Sequence, residues 1–288
     1  MTPTSLFCAP DSTAGSLTSD RPAPARVCAI HQPNLFPRLA TLAKIVAADY
    51  WIVLDDVQFA RRDYQHRARL SATPGPGAAR WLSIATRLPH GRSTPIREAR
   101  LADPIRCRRR LPQLLADCYR RSPYWPEFRR SLNSVLDLFD ITDRLAVVTE
   151  ASTRLLLNAV GWSGQILHSS VLPARAERSE RLADLAGLTG ATVYLCGTGG
   201  LTYLSPDPFR TYSVRIIPFQ MPEMGIWATG RQVSALDALM LIGPNALSLE
   251  LRKVRDAIPD ETPPGKARPA VLGYQELLEL PKPSTPGA

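Results

Sequence analysis

The segment VCAIHQPNLFPRLATLAKIVAADYWIVLDDVQF, Val27 to Phe59, decides the fold. VCAI is a short apolar run that stops at a turn of His31, Gln32, Pro33 and Asn34, the pattern of a buried strand. Leu39, Leu42, Ala43, Val46 and Ala47 then recur at helical spacing, with Pro37 placed for a first helical turn and an end near Asp49. WIVL resumes the apolar run and breaks at Asp55 and Asp56, which reads as a second strand ending in a polar loop. A strand, a crossover helix and a strand this close together pair most simply in parallel, with a right-handed crossover. His31 to Asn34 and Asp55 to Gln58 then stand at the carboxyl ends of neighbouring strands, the edge at which open α/β sheets bind ligands.

Before this unit, Met1 to Arg26 is Ser, Thr, Pro, Gly and Ala without periodic apolar positions, and is expected to be a disordered leader. After it, Ser71 to Ala79 reads as a loop between two strands, the second being Trp81 to Thr86, and the region from Gln58 to Leu101 as strand segments beside the main sheet. Helices follow: one capped by Asp103 with Pro104 first and a kink or division at Pro112, a second over Trp125 to Phe139, and a third over Thr142 to Val160, stopped by Gly161. QILHSSVL, ATVYLCGTGGLTYL and RIIPF return to strand character, with a helix over Arg178 to Leu188 and a last one over Ser234 to Ile242. Strands alternating with helices predict a doubly wound, Rossmann-like α/β fold with a mostly parallel sheet and a helical insertion at about 103–160. The domain is expected over 27–243, with a Pro-rich C-terminal extension over 244–288.

The composition narrows the function. Among 288 residues, 44% are hydrophobic, ordinary for a globular chain, and no apolar stretch approaches the roughly 20 residues of a membrane helix, so no membrane insertion is expected. The five cysteines are an odd number without a CxxC pair and read as reduced thiols of a cytoplasmic protein. Net charge is +9, but Arg far outnumbers Lys and Ala, Pro and Leu abound, the usage of a GC-rich genome. No recognition helix, RNP motif or zinc-finger pattern accompanies that charge, so no nucleic-acid partner is expected. The four histidines lack metal-ligand spacing, and no metal site is predicted.

Several residues carry candidate chemistry. An imidazole at His31 would suit proton transfer or a hydrogen bond to a phosphate, against the plainer reading of a turn-stabilising bond. Asp55 and Asp56, adjacent in an extended chain, point to opposite faces, so one of them would aim at a shared ligand, holding a hydroxyl, an amine or Mg2+; the alternative is a cap. Arg67 suits bidentate contact with a carboxylate or phosphate. GTGGLTYL follows a strand and offers backbone N–H groups to an anion, but it is neither GxGxxG nor a P-loop. Ser170, Thr198 and Cys196 lie near these turns without a GxSxG elbow.

The strings HQPNLFPRL and LDDVQFARRDYQHRARL, with GTGGLTYL at 197–204 and SALDALMLIG at 234–243, resemble the WbqC-like family. In this chain the family's Gln-Asn-Arg-Asn run becomes Gln65, His66, Arg67 and Ala68, which leaves Gln65 and Arg67 as the transferable positions. The resemblance implies a site at these motifs, with Gly197, Gly199, Gly200 and Tyr203 as pocket wall; within it the polar strand ends are expected to place His31 as the proton-transfer residue, Asp55 or Asp56 to orient substrate or metal, Arg67 to bind an anionic group, and Gln32, Asn34, Gln58 and Gln65 around the substrate. It also implies a role in surface-polysaccharide or specialised-metabolite pathways. The expected activity is transfer or ligation of a small aminoacyl or acyl group onto a sugar or specialised metabolite, with a small-molecule substrate and a carrier protein or biosynthetic complex as partners. His31 also resembles, more loosely, the first His of the nucleotidylyltransferase HxGH motif, although the second His is missing and Phe36 and Pro37 stand nearby. That likeness keeps open a degenerate nucleotidyltransferase-like enzyme using ATP and Mg2+. A non-catalytic assembly protein is the third reading.

Overall fold

The computed structural model describes residues 26–71, 79–197 and 199–259. The leader expected over residues 1–25, loop residues 72–78, Thr198, and the extension from residue 260 onward lie outside the described residues.

In chain order the elements are β1 Val27–His31, α1 Leu39–Val46, β2 Tyr50–Val53, β3 Arg67–Ser71, β4 Ala79–Ser83, β5 Thr86–Arg87, β6 Arg100–Leu101, α2 Pro104–Tyr119, α3 Trp125–Ser131, α4 Asn133–Leu136, α5 Leu138–Ile141, α6 Leu145–Ala159, β7 Gln165–His168, α7 Arg178–Leu188, β8 Val193–Cys196, α8 Asp207–Thr211, β9 Arg215–Pro218 and α9 Ala235–Asp256. The main sheet is five-stranded and parallel throughout, in the order β7-β2-β1-β8-β9. Counted by appearance in the chain, its strands lie 3-2-1-4-5. The chain winds outward from β1 in one direction, returns, and winds outward from β8 in the other, so the direction reverses between β1 and β8. This is an α/β, Rossmann-like arrangement.

Alternation of side chains covers both faces of the sheet. Ala29, Trp51, Val53, Val193 and Leu195 pack into one core with α1, α6 and α9. Cys28, Ile30, Tyr50, Ile52, Tyr194 and Cys196 pack into the other with α7 and α8. Strands buried on both faces read as continuous apolar runs, which is why VCAI, YWIV and VYLC carry almost no polar residue.

Several local expectations shift. Helix α1 begins at Leu39 with Arg38 as its cap, so Pro37 precedes the helix. Helix α2 starts as expected, the Asp103 side chain accepting from Arg106 N at 2.9 Å, but it runs unbroken through Pro112. The carbonyl that loses its partner there belongs to Arg108, an exposed residue whose backbone water can satisfy. The helix expected over 125–139 is three short pieces, α3 to α5. Thr142 ends the last of them in extended conformation, and α6 starts only at Leu145. The final helix does not stop at Ile242: Gly243, at φ 80°, kinks it, and it continues to Asp256 with Leu247, Leu251 and Val254 buried. Strands β3 and β4, and β5 and β6, form two small antiparallel pairs beside the main sheet.

Candidate functional site

The turn after β1 is held from outside the sheet. Leu35 N–H donates to the Tyr64 carbonyl, Phe36 N–H to Ser152 Oγ at 2.9 Å, and Thr153 Oγ1 to the Asn34 carbonyl at 3.1 Å. Phe36 is fully buried at φ 39°, a conformation a bulky side chain adopts only where its surroundings enforce it. Helix α6 of the insertion thus fixes the turn that follows the first strand.

That turn forms one wall of a cleft of about 650 Å³ at the carboxyl ends of β1 and β8. His31 and Gln32 come from the end of β1, Cys196, Gly197, Gly199 and Gly200 from the end of β8, and Arg38, Thr41 and Lys44 from the start and body of α1. Arg231, Asp63 and Tyr203 complete its rim. Arg38, Lys44, Arg231 and Asp63 are thus the charged residues that line the space. The cleft lies where the winding direction of the sheet reverses, the place at which open α/β sheets bind ligands.

Lys44 is the residue that the sequence reading missed. It is 5% exposed, although it lies in a helix whose other side chains apart from Thr41 are apolar, and its Nζ donates to the Ile30 carbonyl at 3.1 Å and lies 3.3 Å from His31 Nδ1. Burial, opposed by the Cys196 and Cys28 thiols and reinforced by Arg38, lowers its amine to about 8. The available signal was compositional: Lys44 is the sole lysine before Lys253.

His31 reaches the cleft wall, but both its ring nitrogens are engaged. Nδ1 faces Lys44, and Nε2 lies 3.2 Å from the Asn34 amide. Burial first, then Lys44 and Arg38, hold the imidazole well below its usual range, so it is neutral. Asn34 Nδ2 is the atom nearest Nε2 and Asn34 Oδ1 is buried without a partner; a Lys44 ammonium donating to Nδ1 leaves the ring proton on Nε2, which requires the amide turned so that Oδ1 accepts it. A neutral ring held in this way does not supply the imidazolium proton expected of a general acid.

The other expected residues divide. Gln32 lines the cleft and accepts from Gln65 Nε2 at 2.6 Å, so Gln65 acts from behind it. Gly197, Gly199, Gly200 and Tyr203 line the opposite wall, with Tyr203 beneath the Arg178 guanidinium at 4.3 Å. The Gly200 N–H closes its own turn on the Gly197 carbonyl at 2.8 Å and is not a free donor for an anion. A Cβ at Gly200 would stand 2.6 Å from Cys196 Sγ, so a side chain there would require the Cys196 side chain to move. Burial raises the Cys196 thiol, against Lys44 and Tyr194, which argues against a thiolate nucleophile.

Asp55, Asp56, Gln58 and Arg67 stand apart from the cleft lining. Strand β2 ends at Val53, and the two aspartates beyond it do not send their side chains to opposite faces. Both converge on Ser169 Oγ, at 3.2 and 2.6 Å; Asp55 also accepts from Ser170 N and Oγ, and Asp56 pairs with Arg181. They lock the end of β2 to the end of β7. Gln58 Nε2 donates to the Arg92 carbonyl at 2.6 Å. Arg67, expected to hold an anionic group, donates to the carbonyls of Asp63 and Arg62 and stacks on Trp81 at 4.4 Å. Among the described residues, no group of three or more His, Cys, Asp or Glu is placed for a metal. Among the described residues, no helix is long and apolar enough to cross a membrane.

Comparison with known proteins gives two matches. A model of the WbqC-like protein family matches residues 32–249. The uncharacterized protein Rv1507c of Mycobacterium tuberculosis is 25% identical over 235 residues, covering 76% of this chain and 94% of its own length. No solved structure matches.

Proposed function

The chain belongs to the WbqC-like protein family, and from that premise we propose that it is a biosynthetic transferase or ligase that joins a small aminoacyl or acyl group to a sugar or specialised metabolite. The observation that carries this reading is the cleft between β1 and β8, where Arg38, Lys44 and Arg231 surround a space of about 650 Å³ at the reversal point of the sheet. Such a volume suits a small molecule. The two guanidinium groups of Arg38 and Arg231 favour a substrate carrying a carboxylate or phosphate. Within this reading Arg38 and Arg231 hold the anionic group, Gln32 and Tyr203 contact the neutral part, and His31 keeps Lys44 in place.

A nucleotide-using variant of the same reading draws on one observation, the 3-2-1-4-5 strand order with its cleft at the reversal point. Acyl transfer that consumes ATP would use that cleft as well. The test is a ligand screen by thermal shift and calorimetry with acyl carriers, amino acids, nucleotide sugars, and ATP with Mg2+, on the wild type and Arg231→Ala. Arg231 is exposed, so the variant keeps the fold. A ligand that stabilises the wild type and binds the variant about 10-fold more weakly supports the cleft. If no ligand shifts either protein, the small-molecule reading falls and an assembly role takes its place.

A further inference from the structure

Lysine is scarce in this chain, with four against 31 arginines, and three of the four follow residue 252. The remaining one, Lys44, is buried in the cleft wall. A Cβ at Gly197 would stand 3.9 Å from its Nζ, so the amine spans the gap between the ends of β1 and β8. The groups around it come from every neighbouring element: Cys28 and His31 from β1, Cys196 from β8, Arg38 from the turn before α1, and Arg231 and Asp63 across the cleft. Among the described residues no carboxylate pairs with it; its partners are the Ile30 carbonyl and the His31 ring.

The other two cations of the cleft, Arg38 and Arg231, are guanidinium groups. A guanidinium keeps its proton at every working pH, whereas an amine in a desolvated wall beside other cations gives it up. A lysine at this one cleft position, amid arginines, supplies a group that can cycle between charged and neutral. We infer that Lys44 takes up the proton released when the acceptor attacks the acyl donor, an assignment that rests on the transfer reading above. In that step the acceptor's nitrogen or oxygen lone pair forms the new bond to the acyl carbon. The bond from that carbon to the leaving group breaks with its electron pair on the leaving group. The acceptor's proton ends on Lys44 Nζ, and the resulting ammonium donates to His31 Nδ1 and the Ile30 carbonyl. Arg38 and Arg231 stay charged throughout and hold the donor.

Trace acetylation with acetic anhydride tests this without knowledge of the substrate. The folded protein is labelled briefly from pH 6.5 to 10.5, and the extent at Lys44 is read by peptide mass against Lys253, which is exposed on α9. With its amine lowered to about 8, Lys44 holds roughly 200-fold more neutral amine at pH 7.5 than an ordinary lysine. Restricted access reduces that advantage, so the expected result is labelling at least about 10-fold faster than Lys253, with a midpoint near pH 8. A midpoint above pH 10, or no labelling of Lys44 in the folded chain, overturns the assignment. Failure here removes Lys44 and leaves transfer to the ligand screen; failure of the transfer reading looks different, with no ligand shift on a chain whose Lys44 labels as stated.

Discussion

Replacing Lys44 by methionine keeps the length of the side chain and removes its charge, and should make the protein more stable at neutral pH. The fall of the amine from 10.5 to about 8 corresponds to about 3 kcal/mol held against the folded state while the proton is bound. Below pH 8 both the folded and unfolded chains hold that proton, and the folded state carries the full cost. Between about 8 and 10.5 the folded amine is neutral while the unfolded one still binds a proton, so unfolding takes up a proton and rising pH opposes it, by at most about 1.4 kcal/mol per pH unit. Other groups titrate in the same range: burial raises the Cys28 thiol to about 12, which costs stability as pH rises above 9. The informative quantity is therefore the difference between wild type and Lys44→Met, measured by urea unfolding followed by tryptophan fluorescence. That difference should favour the variant by about 3 kcal/mol more at pH 7 than at pH 10.5, whatever the constant offset from the lost bonds to Ile30 and His31. A difference flat within about 0.5 kcal/mol across that range would refute the reasoning. Stability gained by removing a cleft residue is the usual mark of a group kept for function.

Three further outcomes follow from particular contacts. His168 is raised by its hydrogen bond to Glu150 at 2.7 Å, so its contribution is present below its unfolded value and is lost as pH rises through the folded one; His168→Gln should cost about 1 kcal/mol at pH 5.5 and less at pH 8 by urea unfolding. Gly243→Ala places a Cβ 2.4 Å from the Tyr124 ring at φ 80°, and should lower stability by about 2–3 kcal/mol, with the loss visible as a lower urea midpoint. Asp55→Asn should cost roughly 1–3 kcal/mol through Ser169 and Ser170 yet leave any ligand shift in the cleft unchanged; a lost shift at unchanged stability would return Asp55 to the site.

Much of the frame was legible because buried parallel strands announce themselves as unbroken apolar runs, and β1, α1 and β2 follow one another without interruption. The carboxyl edge was legible for the same reason. Which strands meet there was not, since placing β8 against β1 depends on a crossover of more than 130 residues that no local pattern encodes. Asp55 and Asp56 misled because they lie past the end of β2 at Val53, where strand alternation no longer fixes side-chain direction, and their partner Ser169 is more than 110 residues away in the chain. Arg67 looked like an anion ligand because a side chain's type does not reveal which backbone carbonyls stand beside it. Lys44 escaped because a lone lysine on a short helix ordinarily reaches solvent; only the fold shows that this one turns toward the end of β1.

The central claim is that the cleft between β1 and β8 is where the substrate sits and that Lys44 faces it. A crystal structure of the wild type with a ligand that passes the thermal-shift screen tests this most directly. The account predicts the ligand between the His31 and Gly197 ends of the two strands, its anionic group on Arg38 and Arg231 and its remaining part within reach of Lys44 Nζ. A ligand bound elsewhere, for example against Trp227 and Leu249 beside α9, would contradict it.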